Sequence, residues 1–283
     1  MEKPVAFLSD GLRLYGVLGL PPAPASRGVV LIHGWSGYRI GPHQMLVETA
    51  RHLEARGFAT LRFDLRGRGD SEGEDAETDL DGMIADTLVA VRFLREMAAV
   101  RAVALLGICS GANVAIGAAT LEPDIRDLVL WSVLPFQPQV RKSDHLRRTR
   151  FFAIEYARRL FRRETWEKLR TGRVDFRAVR WALFSGGGRA VGRRNLKDSR
   201  RDIMAAFAGF RGRALFVHGD KDPDAARARA VFMPFCRAHG LNAQFHLIEG
   251  ASHSYYSLAW KQRLITLTTN WLLSCSTSPE GPT

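Results

Sequence analysis

A short turn between an apolar strand and a helix of small residues constrains this chain most. The turn Gly107–Gly111 follows the apolar run Val103–Leu106 and precedes small, apolar residues as far as Leu121. The residue at the apex of such a strand-turn-helix has a strained backbone and projects outward, so its close neighbours must be small. Glycines stand two positions before and two positions after Cys109. The sequence therefore predicts Cys109 at the apex.

Ser110 is the alternative apex residue. In that frame the position two before the apex is Ile108, which is too bulky for the turn. A buried structural cysteine is the commonest role of a free Cys, but it leaves the Gly-x-Cys-x-Gly context unexplained. A thiolate is the reactive form of cysteine, and a helix N-terminus or a nearby histidine lowers its pKa. We therefore favour Cys109 as a reactive residue.

Apolar runs of strand length alternate with stretches of helical spacing along most of the chain. The predicted strands are Val5–Leu8, Leu12–Gly19, Gly28–Ile32, Phe58–Phe63, Val103–Leu106, Leu128–Val133, Ala214–His218 and Gln244–Ile248. The predicted helices are Pro42–Arg56, Leu80–Met97, Ser110–Leu121, Ala225–His239 and Leu258–Leu273. Uninterrupted apolar strands are typical of a parallel sheet covered on both faces. The pattern predicts an α/β fold with a doubly wound, mostly parallel sheet and right-handed crossovers.

One basic segment interrupts this alternation. Residues 141–201 contain 20 of the 41 Lys and Arg but only 6 of the 29 Asp and Glu, so this segment carries a net charge of +14 and the rest −2. Its apolar residues recur at helical spacing. We interpret residues 135–205 as an inserted helical cap between the two parts of the core, residues 1–134 and 206–275. Residues 276–283 have the composition of a flexible tail.

Arginines and aromatic residues are interleaved within the predicted cap. Residues 147–150 and 158–163 are rich in arginine and flank aromatic and aliphatic side chains, which is the pattern of a basic amphipathic helix. We expect peripheral, salt-sensitive contact with an anionic membrane or polysaccharide. The alternatives are a solvated basic face and a pocket for an acidic substrate. Nucleic acid is not expected as a partner, because no recognised nucleic-acid-binding module is present.

The N-terminal residues and the cysteines indicate the compartment. Residues 1–5 do not begin a secretory signal, and the apolar runs are far shorter than a bilayer span. Cys109, Cys236 and Cys275 are an odd number at wide spacing, which suits neither a disulfide framework nor a zinc site. We expect a cytoplasmic protein in a reducing compartment. No group of His, Cys and carboxylates has metal-ligand spacing, so no metal or cofactor is expected.

Two loops that follow late strands supply a candidate base and acid. A cysteine nucleophile needs a base, and the base needs an orienting acid. One loop holds Asp220, Asp222 and Asp224, and the other ends at His253. Both loops lie at the carboxyl ends of strands, where an open α/β sheet places its active site. The loop spacing favours Asp222, with Asp220 and Asp224 as alternative acids.

Together these motifs resemble the α/β-hydrolase superfamily. The matching parts are His33-Gly34-Trp35, the glycine-rich loop Phe63–Gly73, the turn Gly107–Gly111, Gly219-x-x-Asp222, and His253. By this resemblance Cys109 is the nucleophile, His253 the base and Asp222 the acid. The backbone N–H groups of Trp35 and Ser110 would form the oxyanion hole. Most members carry serine where this chain has cysteine, although dienelactone hydrolases also use Cys-His-Asp.

Three shorter phrases are similar to hydrolases encoded alongside bacterial exosortase and exopolysaccharide systems. They are Gly41–His43, Arg62–Gly73 and Trp166–Gly172. This narrower likeness does not include a substrate.

The resemblance implies a hydrolase that works through an acyl-cysteine intermediate on a small acyl substrate. A thiolate attacks activated acyl groups well and a thiol leaves readily, so esters, thioesters and lactones are expected ahead of plain amides. An acyltransferase on the same triad is one alternative. A non-catalytic homologue that binds anionic partners through its cap is another.

Overall fold

One sheet of eight strands runs through the described part of the computed structural model, which comprises residues 1–25, 27–74, 78–136 and 199–274. The strands are β1 (Glu2–Ser9), β2 (Leu12–Gly19), β3 (Arg27–Ile32), β4 (Phe58–Phe63), β5 (Ala102–Ile108), β6 (Asp127–Trp131), β7 (Arg213–Gly219) and β8 (Asn242–Ile248). Their spatial order is β1-β2-β4-β3-β5-β6-β7-β8. The pairs β1·β2 and β2·β4 are antiparallel, and all other pairs are parallel. The prediction of a doubly wound, mostly parallel sheet is confirmed.

The helices of the described residues follow the strands in the predicted alternation. They are α1 (Met45–Glu54), α2 (Leu80–Ala98), α3 (Ser110–Ala119), α4 (Ile203–Phe207), α5 (Ala225–Ala238) and α6 (Leu258–Leu273). Helix α1 begins three residues later than predicted, because Pro42–Gln44 form a 3-10 turn in which His43 has a φ of 51°. The short helix α4 was not predicted.

Alternate residues of each central strand face opposite sides of the sheet, as the two-residue period of a strand requires. In β3, Val29 and Leu31 pack in the cluster that contains the apolar residues of α1 and α6. Val30 and Ile32 pack in the other cluster, with residues of α2, α3 and α5. Both faces of the sheet are therefore covered, which explains why the strand sequences are apolar throughout.

The loops at the carboxyl ends of the parallel strands bring the candidate site together. Trp35 follows β3, Cys109 follows β5, Ser132 follows β6, Asp222 follows β7 and His253 follows β8. Since neighbouring parallel strands end at the same edge of a sheet, side chains more than 200 residues apart in sequence share one region.

Several predictions concern residues outside the described ranges. They include most of the predicted cap, the arginine-rich runs 147–150 and 158–163, the phrase Trp166–Gly172, Cys275 and the predicted tail. The division into core and cap therefore remains a prediction. Among the described residues, none of the helices is both long and apolar enough to cross a membrane. The same residues contain no group of three or more His, Cys, Asp and Glu arranged to hold a metal ion.

Candidate active site

Cys109 lies at the apex of the turn between β5 and α3, with a φ of 58° and a ψ of −126°. A side chain at positive φ is uncommon outside glycine and costs free energy. The two flanking glycines are required by close backbone contacts. A Cβ on Gly107 would lie 2.3 Å from the Gly111 carbonyl oxygen, and one on Gly111 would lie 2.4 Å from that of His33. The strained turn thus depends on the residues that the sequence singled out.

The loop after β3 packs directly against this turn. A Cβ on Gly34 would lie 3.3 Å from the Cβ of Cys109. The Trp35 N–H donates to the Ser110 hydroxyl oxygen over 2.6 Å. The structure therefore brings the two predicted oxyanion-hole residues into contact.

His253 and Asp222 are joined by a hydrogen bond. His253 Nδ1 is 2.9 Å from Asp222 Oδ2, and the carboxylate is fully buried. The other carboxylate oxygen, Oδ1, accepts from the Asp224 N–H over 3.0 Å. Asp220 instead forms an ion pair with Lys221 over 3.4 Å. Of the three candidate acids, the structure therefore brings Asp222 to the histidine, while Asp224 supports that carboxylate through its backbone.

The Cys109 thiol and the His253 imidazole each favour the charged form of the other. Burial alone would raise the pKa of Cys109, but its hydrogen bond to His253 and its contacts with Ser110 lower the pKa below the ordinary value. Burial alone would lower the pKa of His253, but Asp222 and the thiolate raise it to about 10. Burial likewise opposes ionisation of Asp222, and the hydrogen bond from His253 overcomes it and lowers that pKa. Both shifts favour a thiolate beside an imidazolium.

His33 supports the loop after β3 and does not act as an acid or base. The Leu65 N–H donates to His33 Nε2 over 3.1 Å, so Nε2 is an acceptor and the proton sits on Nδ1. Nδ1 then donates to the Gly34 carbonyl oxygen over 2.7 Å. Burial lowers the pKa of His33 to about 4, which keeps the ring neutral. This agrees with a structural role for the residue.

Arg68 also stabilises this loop. Its Nε donates to the Trp35 carbonyl oxygen, and its guanidinium carbon lies 5.1 Å from the centre of the Trp35 ring. A guanidinium over an indole is a favourable cation–π arrangement. These two contacts hold the peptide group that follows Trp35, and so they stabilise the conformation of the loop after β3.

Sequence reasoning missed two residues behind the site, Ser132 and Tyr255. Both are fully buried and both have a φ of 46°. Their sequence surroundings carry no turn glycine or motif that predicts such a conformation. Only the packed structure shows that their hydroxyl groups meet next to His253.

A strained apical cysteine between a strand and a helix, with a His-carboxylate pair on the last two strand loops, defines the site of an α/β-hydrolase fold. A family model described as the alpha/beta hydrolase family matches residues 29–264. The chain belongs to this family, and its membership supports a hydrolase function. No curated protein matches the chain.

Many solved structures share the fold at low sequence identity. Est1E from Butyrivibrio proteoclasticus, with bound ferulic acid, is 18% identical with a TM-score of 0.65, covering 97% of this chain and 100% of its own. An esterase from Pyrococcus furiosus is 17% identical with a TM-score of 0.67, covering 97% and 91%. A dienelactone hydrolase from Anabaena variabilis is 16% identical with a TM-score of 0.64, covering 97% of both chains. These similarities establish the fold.

Proposed function

We propose that the protein is a cysteine-dependent acyl hydrolase that cleaves an ester, thioester or lactone through an acyl-cysteine intermediate. One observation carries the proposal: Cys109 sits at a strained apex and interacts with His253, whose Nδ1 is 2.9 Å from the buried Asp222 carboxylate. A nucleophile, a base and an orienting acid in this order form the minimal set for covalent acyl transfer.

In the first half of the reaction, the Cys109 thiolate attacks the carbonyl carbon of the substrate. A C–S bond forms and the carbonyl oxygen takes the negative charge. The N–H groups of Trp35 and Ser110 are the donors that would stabilise this oxyanion. When the C=O bond re-forms, the alcohol or thiol leaves with the Nε2 proton of His253, and the acyl-cysteine remains.

In the second half, water replaces the leaving group. His253 Nε2 takes a proton from water while the water oxygen attacks the acyl carbon. The C–S bond then breaks, the carboxylic acid departs, and the thiolate and imidazolium are restored. Asp222 holds Nδ1 throughout, so that Nε2 stays directed at the reacting atoms.

The cysteine favours activated acyl groups over amides. A thiol is a better leaving group than an amine from a tetrahedral intermediate, so attack on an amide tends to reverse, whereas esters, thioesters and lactones proceed. The fold likeness to an esterase and to a dienelactone hydrolase supports this choice of substrate class.

The test compares the wild type with Cys109→Ala on a short-chain p-nitrophenyl ester, a thioester and a lactone. We expect Cys109→Ala to lose activity by about a thousandfold or more. Mass spectrometry after a substrate pulse should show the acyl group on Cys109. Cys236→Ala is the matched control, because this second cysteine is buried in the core and burial raises its pKa to about 11. Normal turnover with unlabelled Cys109 would contradict the proposal.

A further inference from the structure

Two buried hydroxyl groups tie the His253 loop to the end of the sheet. Ser132 Oγ lies 3.1 Å from Tyr255 Oη and 3.2 Å from the His253 carbonyl oxygen. Tyr255 Oη donates to the Val217 carbonyl oxygen over 3.0 Å, and the Ser132 N–H donates to the same oxygen over 2.8 Å. The loop that carries the histidine is therefore joined to the ends of β6 and β7 at the His253 carbonyl group and at Tyr255.

Both residues adopt a backbone conformation that is unfavourable for their side chains. Ser132 and Tyr255 each have a φ of 46°. For a bulky residue such a φ is an outlier, and it persists only where the surrounding contacts determine it. Here the two outliers face one another through their hydroxyl groups. Strain of this kind clusters at functional sites, and the network lies directly behind the histidine.

The network also fixes the relation between His253 and Asp222. Asp222 lies three residues beyond the end of β7, and its N–H donates to the Gly219 carbonyl oxygen over 3.1 Å. Val217, two residues before Gly219 on the same strand, accepts the bonds from Ser132 and Tyr255. One strand end therefore holds both the carboxylate loop and the histidine loop.

We propose that Ser132 and Tyr255 are positioning residues, which hold the His253 imidazole against Asp222 by anchoring the His253 main chain to β6 and β7. The inference rests on the proposed function, in which the imidazole must accept and return a proton at a fixed place. Loss of either hydroxyl leaves the Nδ1–Oδ2 hydrogen bond in place only part of the time. The histidine then spends less time in the geometry that activates the thiol.

Proton counting supports a shared role for the Ser132 hydroxyl. The Tyr255 hydroxyl donates its one proton to the Val217 carbonyl oxygen, so toward other groups the Tyr255 oxygen can only accept a hydrogen bond. The single Ser132 proton then lies between two acceptors, Tyr255 Oη and the His253 carbonyl oxygen. Ser132 thus contacts the His253 main chain and the Tyr255 hydroxyl group.

Two variants remove the hydroxyls with little other change. Ser132→Gly suits the positive φ, because glycine adopts it freely, so this variant relieves backbone strain while it removes the hydroxyl. Tyr255→Phe keeps the ring. Thr87→Val is the matched control: it removes a fully buried hydroxyl on α2 that donates to the Met83 carbonyl oxygen over 2.9 Å.

Two readouts separate positioning from a merely structural role. We expect kcat on the short-chain ester to fall about tenfold in Ser132→Gly and Tyr255→Phe, with KM changed less than about twofold. The pH at which iodoacetamide half-alkylates Cys109 should rise by about one unit in both, because a loosened imidazolium stabilises the thiolate less. Thr87→Val should change neither quantity. Alkylation, followed by mass spectrometry of the Cys109 peptide, needs no turnover.

The outcomes distinguish this inference from the proposed function. If the wild type alkylates like an ordinary thiol and keeps its activity in Cys109→Ala, the proposed function fails. If the wild type behaves as proposed but Ser132→Gly and Tyr255→Phe match Thr87→Val in both readouts, the positioning inference alone is overturned. A fall in kcat together with the alkylation shift supports it.

Discussion

At the scale of single residues, the cysteine changes the electrostatics of the site. A serine hydroxyl ionises only as it attacks, whereas a thiol can rest as the thiolate when a cation lies beside it. His253 supplies that cation, and Asp222 keeps it charged. The lowered pKa of Cys109 and the raised pKa of His253 both favour an ion pair of thiolate and imidazolium at rest.

The first prediction is the pH dependence of kcat/KM. The pKa of Cys109 is lowered, so activity should rise with pH at an acid limb below the ordinary thiol value of about 8.5. The pKa of His253 is raised to about 10, so activity should fall again as the imidazolium loses its proton there. A pH profile of ester hydrolysis with a substrate stable to base would show the resulting bell.

The acid variants test the origin of this profile. In Asp222→Asn the His253 pKa should drop and the acid limb should move upward, with kcat/KM reduced by about a hundredfold or more. Asp220→Asn is the control, since its ion pair with Lys221 lies at the surface and contributes little. Equal losses in the two variants would mean that the Asp222 carboxylate does not orient the histidine.

At the scale of elements, the turn between β5 and α3 is fixed by backbone contacts rather than by side chains. A Cβ at Gly107 would meet the Gly111 carbonyl oxygen and the Ala112 nitrogen, at 2.3 and 2.5 Å. Neither atom can move without shifting the start of α3. The geometry around Cys109 therefore follows from how closely one strand and one helix approach each other.

Gly107→Ala should accordingly destabilise the protein by about 3 kcal/mol, measured as the free energy of unfolding in urea. Gly209→Ala is the control, because the nearest atom to its Cβ is the Ala206 carbonyl oxygen at an ordinary 3.4 Å. That variant should change the free energy of unfolding by less than about 1 kcal/mol. A Gly107→Ala protein as stable as this control would show that the turn tolerates a side chain.

The sequence predicts well those elements whose pattern is visible within a few consecutive residues. The run Gly28–Ile32 is apolar throughout because both faces of β3 are covered, and the glycine spacing around Cys109 reports a close backbone approach. The start of α1 was misplaced because Pro42 suits a first helical turn, whereas His43 and Gln44 then take positive φ. Helix α4 is only five residues long, too short for periodicity to identify.

The parts of the site that the sequence did not predict depend on contacts between residues that are far apart in the chain. Ser132 and Tyr255 are 123 residues apart, and their conformation exists only because β6, β7 and the histidine loop meet. The hydrogen bond from the Trp35 N–H to the Ser110 hydroxyl likewise joins two loops. A single sequence indicates which residues can do chemistry, but it does not contain the distances that tell Asp222 from Asp220.

At the scale of the whole molecule, charge is distributed unevenly along the chain. Residues 141–201 carry a net charge of +14 while the remainder carries −2. Charge of one sign concentrated in one stretch favours association with anionic surfaces, and salt weakens that association. The protein should therefore bind such surfaces through this stretch.

We expect the protein to sediment with vesicles containing phosphatidylserine at low salt and to be released at about 0.3 M salt, where screening acts within a few ångströms. Vesicles of phosphatidylcholine alone are the control. A variant with Arg158, Arg159, Arg162 and Arg163 changed to Gln should bind less. Protein that stays in solution with anionic vesicles at low salt would show that the basic stretch is a solvated surface.

The pairing of β6 with β7 has a consequence for how such a chain can evolve. Asp127–Trp131 pair in register with Arg213–Val217, although residues 137–198 lie between the two strands in sequence. The ladder between them is thus complete without the intervening stretch. We therefore expect mutations, insertions or exchanges there to leave the pairing of β6 with β7 in place. On the proposed function, the reaction chemistry and the choice of an anionic partner would then change independently in evolution.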